Sequence, residues 1–308
     1  VAITKRPDTL KTTPADTFAD AGRRARYRWF NAGVGSWYLA WGMQGVLFSW
    51  LVVNELGLGA EHLGIAQTLN MLPSLLLVLV GGATADRVDR RRLIMTTQLL
   101  GAALVATLAA TVGAGMLTYP LIIVFALCMG TVVAFSVPTR DSLLSEVAGA
   151  DMMKAVAGMT LVQWSAMALG NLAAAASRWL GTARALGIEA MVIAVGAAAF
   201  SFLEADRHRS RAAFGDGALG EIREGIAEVL DSPKLRPVFV LEVSAGLLFM
   251  GPFLVVIPLL VRDVYGGDVG QLGVLMMAFP CGVIVGSSIL LWRGGIRRKG
   301  RALPLDVG

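Results

Sequence analysis

The chain has 308 residues, of which 56% are apolar and only 16% charged, with a mean hydropathy of +0.66. An ordinary soluble domain is roughly 45–50% apolar and 25% charged, so there are too few polar side chains here to cover a water-facing surface. The same proportions exclude intrinsic disorder, collagen, a coiled coil and a disulfide scaffold, and the formal charge of +5 points to nucleic acid only if the basic residues share one water-facing patch.

A helix that crosses a bilayer needs about 20 mostly apolar residues. After a basic tail over residues 1–28, eight such runs follow: 29–53, 63–85, 93–114, 117–137, 155–177, 183–203, 238–261 and 271–292. They are long and continuous, whereas barrel strands would be runs of about ten residues with alternating polarity. The first is too long, and too far from the start, for a cleaved signal sequence. Short connections join them, except for residues 204–237. There Leu219, Ile222, Ile226, Val229 and Leu230 share one helical face, with Glu221, Arg223, Glu224 and Glu228 elsewhere. That pattern predicts an amphipathic helix at the membrane surface, linking a six-helix bundle (29–203) to a second unit (238–292). Residues 293–308 are again basic.

Alternating the eight spans across a membrane sorts the charge. Of the 27 Lys and Arg residues, all but Arg178, Arg184 and Arg262 fall on one side. The excess predicts that this side, with the N-terminus, is cytoplasmic. It assigns the positive charge to the lipid surface and leaves nucleic acid unneeded as a partner.

Polar groups inside spans are costly and are therefore functional candidates. Gln44, Gln67, Asn70, Gln98, Gln163 and Asn171 can hydrogen-bond there. Of these, Gln44, Asn70, Gln163 and Asn171 are read as a substrate path. Glu189 and Glu242 are the only carboxylates well inside a span, each about 7 Å from its end at 1.5 Å per residue. They are candidates for proton coupling, with snorkelling or pairing to a loop arginine as the alternatives. Trp37 and Trp41, four apart, line a cavity or pack against lipid. Cys128 and Cys281 sit in apolar runs as small hydrophobes. His62 and His208 lie in separate loops, so no metal site is expected. No phosphate-binding loop, serine elbow or paired histidines are present, so neither enzyme chemistry nor a cofactor is expected.

Between spans two and three runs Gly81-Gly82-Ala83-Thr84-Ala85-Asp86-Arg87-Val88-Asp89-Arg90-Arg91-Arg92. Gly82 allows close helix approach. Asp86 can accept hydrogen bonds at a helix N-terminus or pair with arginine, and a charge able to exchange partners suits a two-state gate. This segment resembles the loop signature of the major facilitator superfamily, with Gly82, Asp86, Arg87, Arg90 and Arg91 at its positions. Asp89 replaces a glycine of the pattern. Because Asp tolerates the left-handed conformation, the turn is expected to persist. The Asp variant, Gly42-Met43-Gln44 with Trp50–Leu56, Pro138–Val147 with Pro138, Arg140 and Glu146 in the loop between spans four and five, and Gly220–Gly225 with Pro233 resemble the enterobactin-exporter-like (transmembrane secretion effector) branch. Antiporters of the superfamily often carry Gly-Pro in span five; here Gly170 precedes Asn171.

The resemblance implies an all-α polytopic membrane protein with a complete six-helix N-terminal bundle and the first two helices of a C-terminal bundle. It implies a secondary transporter whose partners are a small molecule of siderophore or drug class, protons and the bilayer, working by efflux. The signature would act as a cytoplasmic gate, closing on an eleventh helix this chain does not contain. Position 1 is Val, read as a non-Met start codon translated literally; a ninth span is due where the basic tail ends, so the chain is read as cut short after span eight and expected not to transport alone. The rival readings are a non-transporting scaffold or regulatory fragment, and a lipid flippase or importer on the same fold. The sequence says nothing of oligomeric state.

Overall fold

The computed structural model describes residues 14–148, 152–203, 232, 236–237, 240–241, 244 and 246–292. The predicted linker helix at 218–230, the basic tail 293–308 and Glu242 lie outside the described residues. The regular elements among them are helices, with no strand among the described residues. We label the helices α1 (Pro14–Trp50), α2 (Ala60–Ala85), α3 (Arg90–Gly113), α4 (Tyr119–Ala148), α5 (Met152–Ala175), the single turn α6 (Ser177–Leu180), α7 (Thr182–Phe200), α8 (Gly251–Leu259) and α9 (Val269–Trp292). Five of them, α2, α3, α4, α7 and α9, are long and apolar enough by themselves to cross a membrane.

Within the bundle α1 packs on α5, α2 on α4 and α3 on α7, while α9 lies along α5 as the seam to the second unit. Glycines set the closest crossings. A Cβ on Gly42 would overlap the Met167 carbonyl, and one on Gly170 the Leu39 carbonyl, so α1 and α5 touch backbone to backbone. On α2 the close approach is made by Gly81 rather than Gly82. A Cβ on Gly81 would overlap the Ala134 carbonyl oxygen, the helical acceptor that Pro138 leaves without its donor four residues on. Gly82 has only ordinary contact, with Pro138.

The predicted loop between spans four and five is corrected by the structure. The helix of α4 continues past residue 137 to Ala148, so Pro138, Arg140 and Glu146 stand on it. Its last turns bury Leu143, Leu144, Val147 and Ala148 at helical spacing, in a core cluster with Phe30, Ile94 and Phe200. That burial outweighs the one backbone bond Pro138 removes.

The molecule thus has two ends: a basic end holding Arg87–Arg92, and an opposite end where α1 stops. The larger core cluster fills the opposite half, around Leu47, Leu51, Phe48 and Phe125. Outside, α2 presents Leu75 (74% exposed), Leu76 and Leu79. Apolar surface costs about 25 cal/mol per Å² in water and nothing comparable in lipid, so the chain is an integral membrane protein.

A repeat emerges at the opposite end. α1 ends in a π-helical turn, Leu51–Glu55, and α8 ends in another, Leu260–Val264. Each is followed by a glycine with positive φ, Gly57 (65°) and Gly266 (57°). The bonds correspond one to one: Leu56 N–H to Leu51 O and Leu58 N–H to Val52 O, against Tyr265 N–H to Leu260 O and Gly267 N–H to Val261 O. The next helices, α2 and α9, start at matching positions. The second unit therefore begins by repeating the first.

Candidate functional site

Three clusters of polar groups interrupt the apolar packing. The first is internal. Glu189 of α7 is 1% exposed and Gln44 of α1 is 7% exposed. With its amide nitrogen turned to the carboxylate, Gln44 donates to both Glu189 oxygens, at 2.6 and 3.3 Å. No other described charged group acts on Glu189. The carboxyl does not reach the surface, and no described arginine pairs with it. Around the pair stand Trp37 and Trp41, their rings stacked 6.4 Å apart, with Met129 and Ile193. They line a cavity of ≈ 10 Å³, about one water molecule's worth of space. A buried carboxyl without a cation is costly, and such groups concentrate at functional sites.

The remaining predicted path residues are not gathered there. Asn171 of α5 is buried at the seam, donating from Nδ2 to the Met276 carbonyl of α9 at 3.2 Å. Gly273 of α9 packs on the Asn171 carbonyl. Asn70 and Gln163 are half-buried on α2 and α5. Gln67 donates to Ser49 at 3.4 Å, and Gln98 to the Gly33 carbonyl at 3.2 Å.

The second cluster is at the basic end. Asp86 caps the C-terminus of α2, rather than standing at a helix N-terminus. Arg90 reaches back to Asp86 (3.3 Å) and across to Glu146 of α4, and its Nε donates to the Ala85 carbonyl. Arg91 donates to the Ser201 carbonyl at the end of α7. The loop signature and the Pro138–Val147 motif thus meet in one network. Asp89 departs from expectation: φ is −61° and ψ 109°, an extended conformation and not a left-handed one. Its side chain accepts from Arg92 N–H at 3.2 Å as the N-cap of α3. The residue is there as a cap, which glycine would leave without a side-chain acceptor. Arg140 is buried, with its guanidinium 5.0 Å from the Tyr38 ring centre and Nε 3.5 Å from Asp141.

The third cluster, at the opposite end, was not singled out as a site by sequence reasoning. Arg262, in the turn after α8, donates through Nη1 to the Val53 carbonyl and to the Leu58 carbonyl (2.9 Å) beyond α1. Its other nitrogens hold Asp263, and that bond keeps the exposed Asp263 carboxyl below its ordinary range. Arg178 pairs with Asp268 (Nε to Oδ2, 3.8 Å) across the α5–α9 seam and stacks on Trp179. Thr182 donates to Glu55 at 2.9 Å. The available signal was charge placement: Arg178 and Arg262 are two of the three basic residues the charge sorting left as exceptions.

Among the described residues no group of His, Cys, Asp and Glu could hold a metal ion.

Comparison with known proteins agrees with this architecture. The sequence model of the Major Facilitator Superfamily matches residues 32–307. The multidrug efflux pump Tap of Mycolicibacterium fortuitum is 28% identical over 271 residues, covering 83% of this chain and 63% of Tap. The chain therefore spans about three fifths of that relative's length. Among solved structures, the nucleoside transporter NupG superposes with a TM-score of 0.68 at 13% identity, over 88% of this chain and 69% of NupG. A bacterial homologue of the human lysosomal transporter Spinster, inward-facing and unoccupied, superposes at 0.61 with 14% identity, over 90% and 63%. At such identities these two speak for the fold.

Proposed function

Because the chain belongs to the major facilitator superfamily, we propose that it works as a secondary transporter, exchanging a small organic molecule for protons as two helix bundles rock about a central path. The basic end and the N-terminus face the cytoplasm in this reading, since nearly all Lys and Arg collect there. Likeness to a multidrug efflux pump over 83% of the chain supports efflux of a drug- or siderophore-like substrate. Gln44 and Asn171 are the buried polar members of the path, with Asn70 and Gln163 beside them.

The observation that carries the proton is the Gln44–Glu189 pair. A carboxylate sealed among apolar side chains is costly, and protonation removes that cost. Gln44 can serve both forms: its nitrogen donates to the carboxylate, and its oxygen, once the amide turns, accepts from the acid O–H. Trp37 and Trp41 close the cavity, so protons exchange only when movement of the helices admits water. Glu242 is the second candidate carboxyl. At the cytoplasmic end Asp86, Arg87, Arg90 and Arg91 form the gate. Asp86 can there exchange Arg90 for a partner in the second bundle, because its side chain stays 47% exposed.

The test is efflux from energised membrane vesicles, using the 308-residue chain and the longest reading of its gene. Gradient-driven efflux of a drug or siderophore is expected from the active form. Glu189→Gln is expected to lose it while keeping substrate exchange in the absence of a gradient. Equal gradient-driven rates in Glu189→Gln would remove the proton role from this residue.

A further inference from the structure

Two cavities open along one face of α1. The larger, ≈ 500 Å³, has Gly35, Ser36 and Leu39 on its deep side, with Leu169 of α5 and Met191 and Val195 of α7 along its rims. The smaller, ≈ 350 Å³, lies toward the start of the helix and is lined by Ala25, Arg28, Trp29 and Ala32. Positions 25, 28, 29, 32, 36 and 39 follow one another at steps of three and four or their neighbours, so they share one helical face. The two cavities therefore form one stripe. From Arg28 to Leu39 it runs about 16 Å at 1.5 Å per residue, close to half of a hydrocarbon core about 30 Å thick. That is the depth of one leaflet.

The larger cavity is apolar and turned away from the second unit. Small side chains at Gly35, Ser36, Ser165 and Ala166 leave the space. Ser36 Oγ donates to the Gly33 carbonyl at 2.8 Å, so its hydroxyl is satisfied within its own helix. On α5, Trp164, Asn171 and Ala175 meet Phe279, Met276 and Gly273 of α9. Val162, Ser165 and Leu169 stand on the opposite face of α5, about half a helical turn round. The rims are open: Leu169 is 59% exposed, Met191 66% and Val195 65%. A groove of this kind at membrane depth faces lipid chains.

The smaller cavity has the opposite chemistry. Arg28 is exposed, and Arg24, one turn earlier, is exposed beside it. No described carboxylate pairs with either. Trp29 stacks on Phe202, after the end of α7, with ring centres 4.4 Å apart. Tryptophan favours the level where headgroups meet chains, which is where this residue stands relative to the apolar groove. Guanidinium groups at that level suit a phosphate. They favour a lipid whose phosphate charge is not cancelled by an ammonium group of its own.

We propose that this face of α1 binds one anionic phospholipid of the cytoplasmic leaflet, with the phosphate at Arg28 and Arg24, the glycerol level at Trp29, and one acyl chain lying past Ala32 and Ser36 in the groove between α5 and α7. The bound lipid ties α1 to both neighbouring helices on the side the second unit leaves bare. Its assignment to the cytoplasmic leaflet rests on the orientation given above for the basic end. The binding itself is measured without transport, so failure of the lipid site and failure of the transport reading are separate results.

The experiment titrates the 308-residue chain in detergent micelles with dipalmitoyl phosphatidylglycerol or dipalmitoyl phosphatidylcholine, and follows lipid adducts by native mass spectrometry. One phosphatidylglycerol adduct is expected, bound about fivefold or more tighter than phosphatidylcholine, with the difference shrinking as salt rises. Arg28→Ala is expected to weaken phosphatidylglycerol about fivefold and leave phosphatidylcholine unchanged. Ser165→Phe, which fills the groove, is expected to remove the adduct of both lipids; its unfolding midpoint reports whether it folds, and where it does not, the smaller Ser165→Leu decides. Equal binding of the two lipids by the parent chain would reduce the groove to ordinary lipid contact and overturns the proposal. So does a phosphatidylglycerol preference that survives Arg28→Ala, or an adduct that survives filling of the groove. A dimer that Ser165→Phe dissolves would put a second copy of the chain there instead, and overturns it as well.

Discussion

Arg90 of α3 and Glu146 of α4 form an ion pair that joins two motifs lying far apart in the chain. Both side chains are largely covered, at 22% and 18% exposure, and Arg90 also holds Asp86 at 3.3 Å. The pair adds to the burial of Leu143, Leu144 and Val147 that keeps the end of α4 helical: the last turns carry a carboxylate with an arginine in reach.

A double-mutant cycle should measure this. Glu146→Gln and Arg90→Gln should each lower unfolding stability, and together they should cost less than their sum. The coupling should be about 1 kcal/mol, above the median for exposed pairs because the side chains are mostly covered. Thermal unfolding in detergent provides the readout, and additive effects would remove the pair's role.

Trp37 and Trp41 adjoin Glu189, so its ionisation should change their emission. The 308-residue chain in nanodiscs is expected to show a pH-dependent step in tryptophan fluorescence that Glu189→Gln removes and Gln44→Leu displaces. A step of the same size in Glu189→Gln would assign it to another group.

Glycines on α1 differ sharply in what surrounds them. Gly42→Ala should cost about 1–3 kcal/mol, because its Cβ meets a backbone carbonyl of α5 that cannot move aside. Gly45→Ala, whose Cβ would enter open space, should instead stabilise by about 0.5–1 kcal/mol through helix propensity. Unfolding midpoints of the two variants should shift in opposite directions.

Asp89 caps α3. Asp89→Ala should cost about 1 kcal/mol, whereas Asp89→Gly, which restores the general signature, should cost only a few tenths. An unchanged unfolding midpoint in Asp89→Ala would indicate that the Asp89–Arg92 bond does not stabilise the helix.

Much of this protein could be read from sequence because membrane insertion is a local criterion. A run of apolar residues long enough to cross lipid becomes a helix whatever lies around it, since its backbone groups have no other partner there. The apolar helices, the all-helical fold and the superfamily signature were therefore legible. Where polar residues ended an apolar run, that criterion stopped short. The last turns of α4 were read as loop because Arg140, Asp141 and Glu146 look like solvent-facing residues, yet Glu146 is satisfied by Arg90. Asp89 was assigned a left-handed turn because its cap bond depends on the geometry of the helix that follows.

Contacts between distant segments were decided only in three dimensions. Sequence nominated Gln44 for substrate and Glu189 for protons separately; helix packing makes them one pair, because α1 and α7 bring their polar groups to the same depth. Sequence counted Arg178 and Arg262 as exceptions to a charge rule. The tertiary structure turned them into bridges, because orphan carbonyls at one helix end and a carboxylate at the next turn come within reach only when the two units are folded against each other. Hydrophobicity is a property of each segment and survives without context; the partner of a polar group is not, and it exists only once the chain has folded.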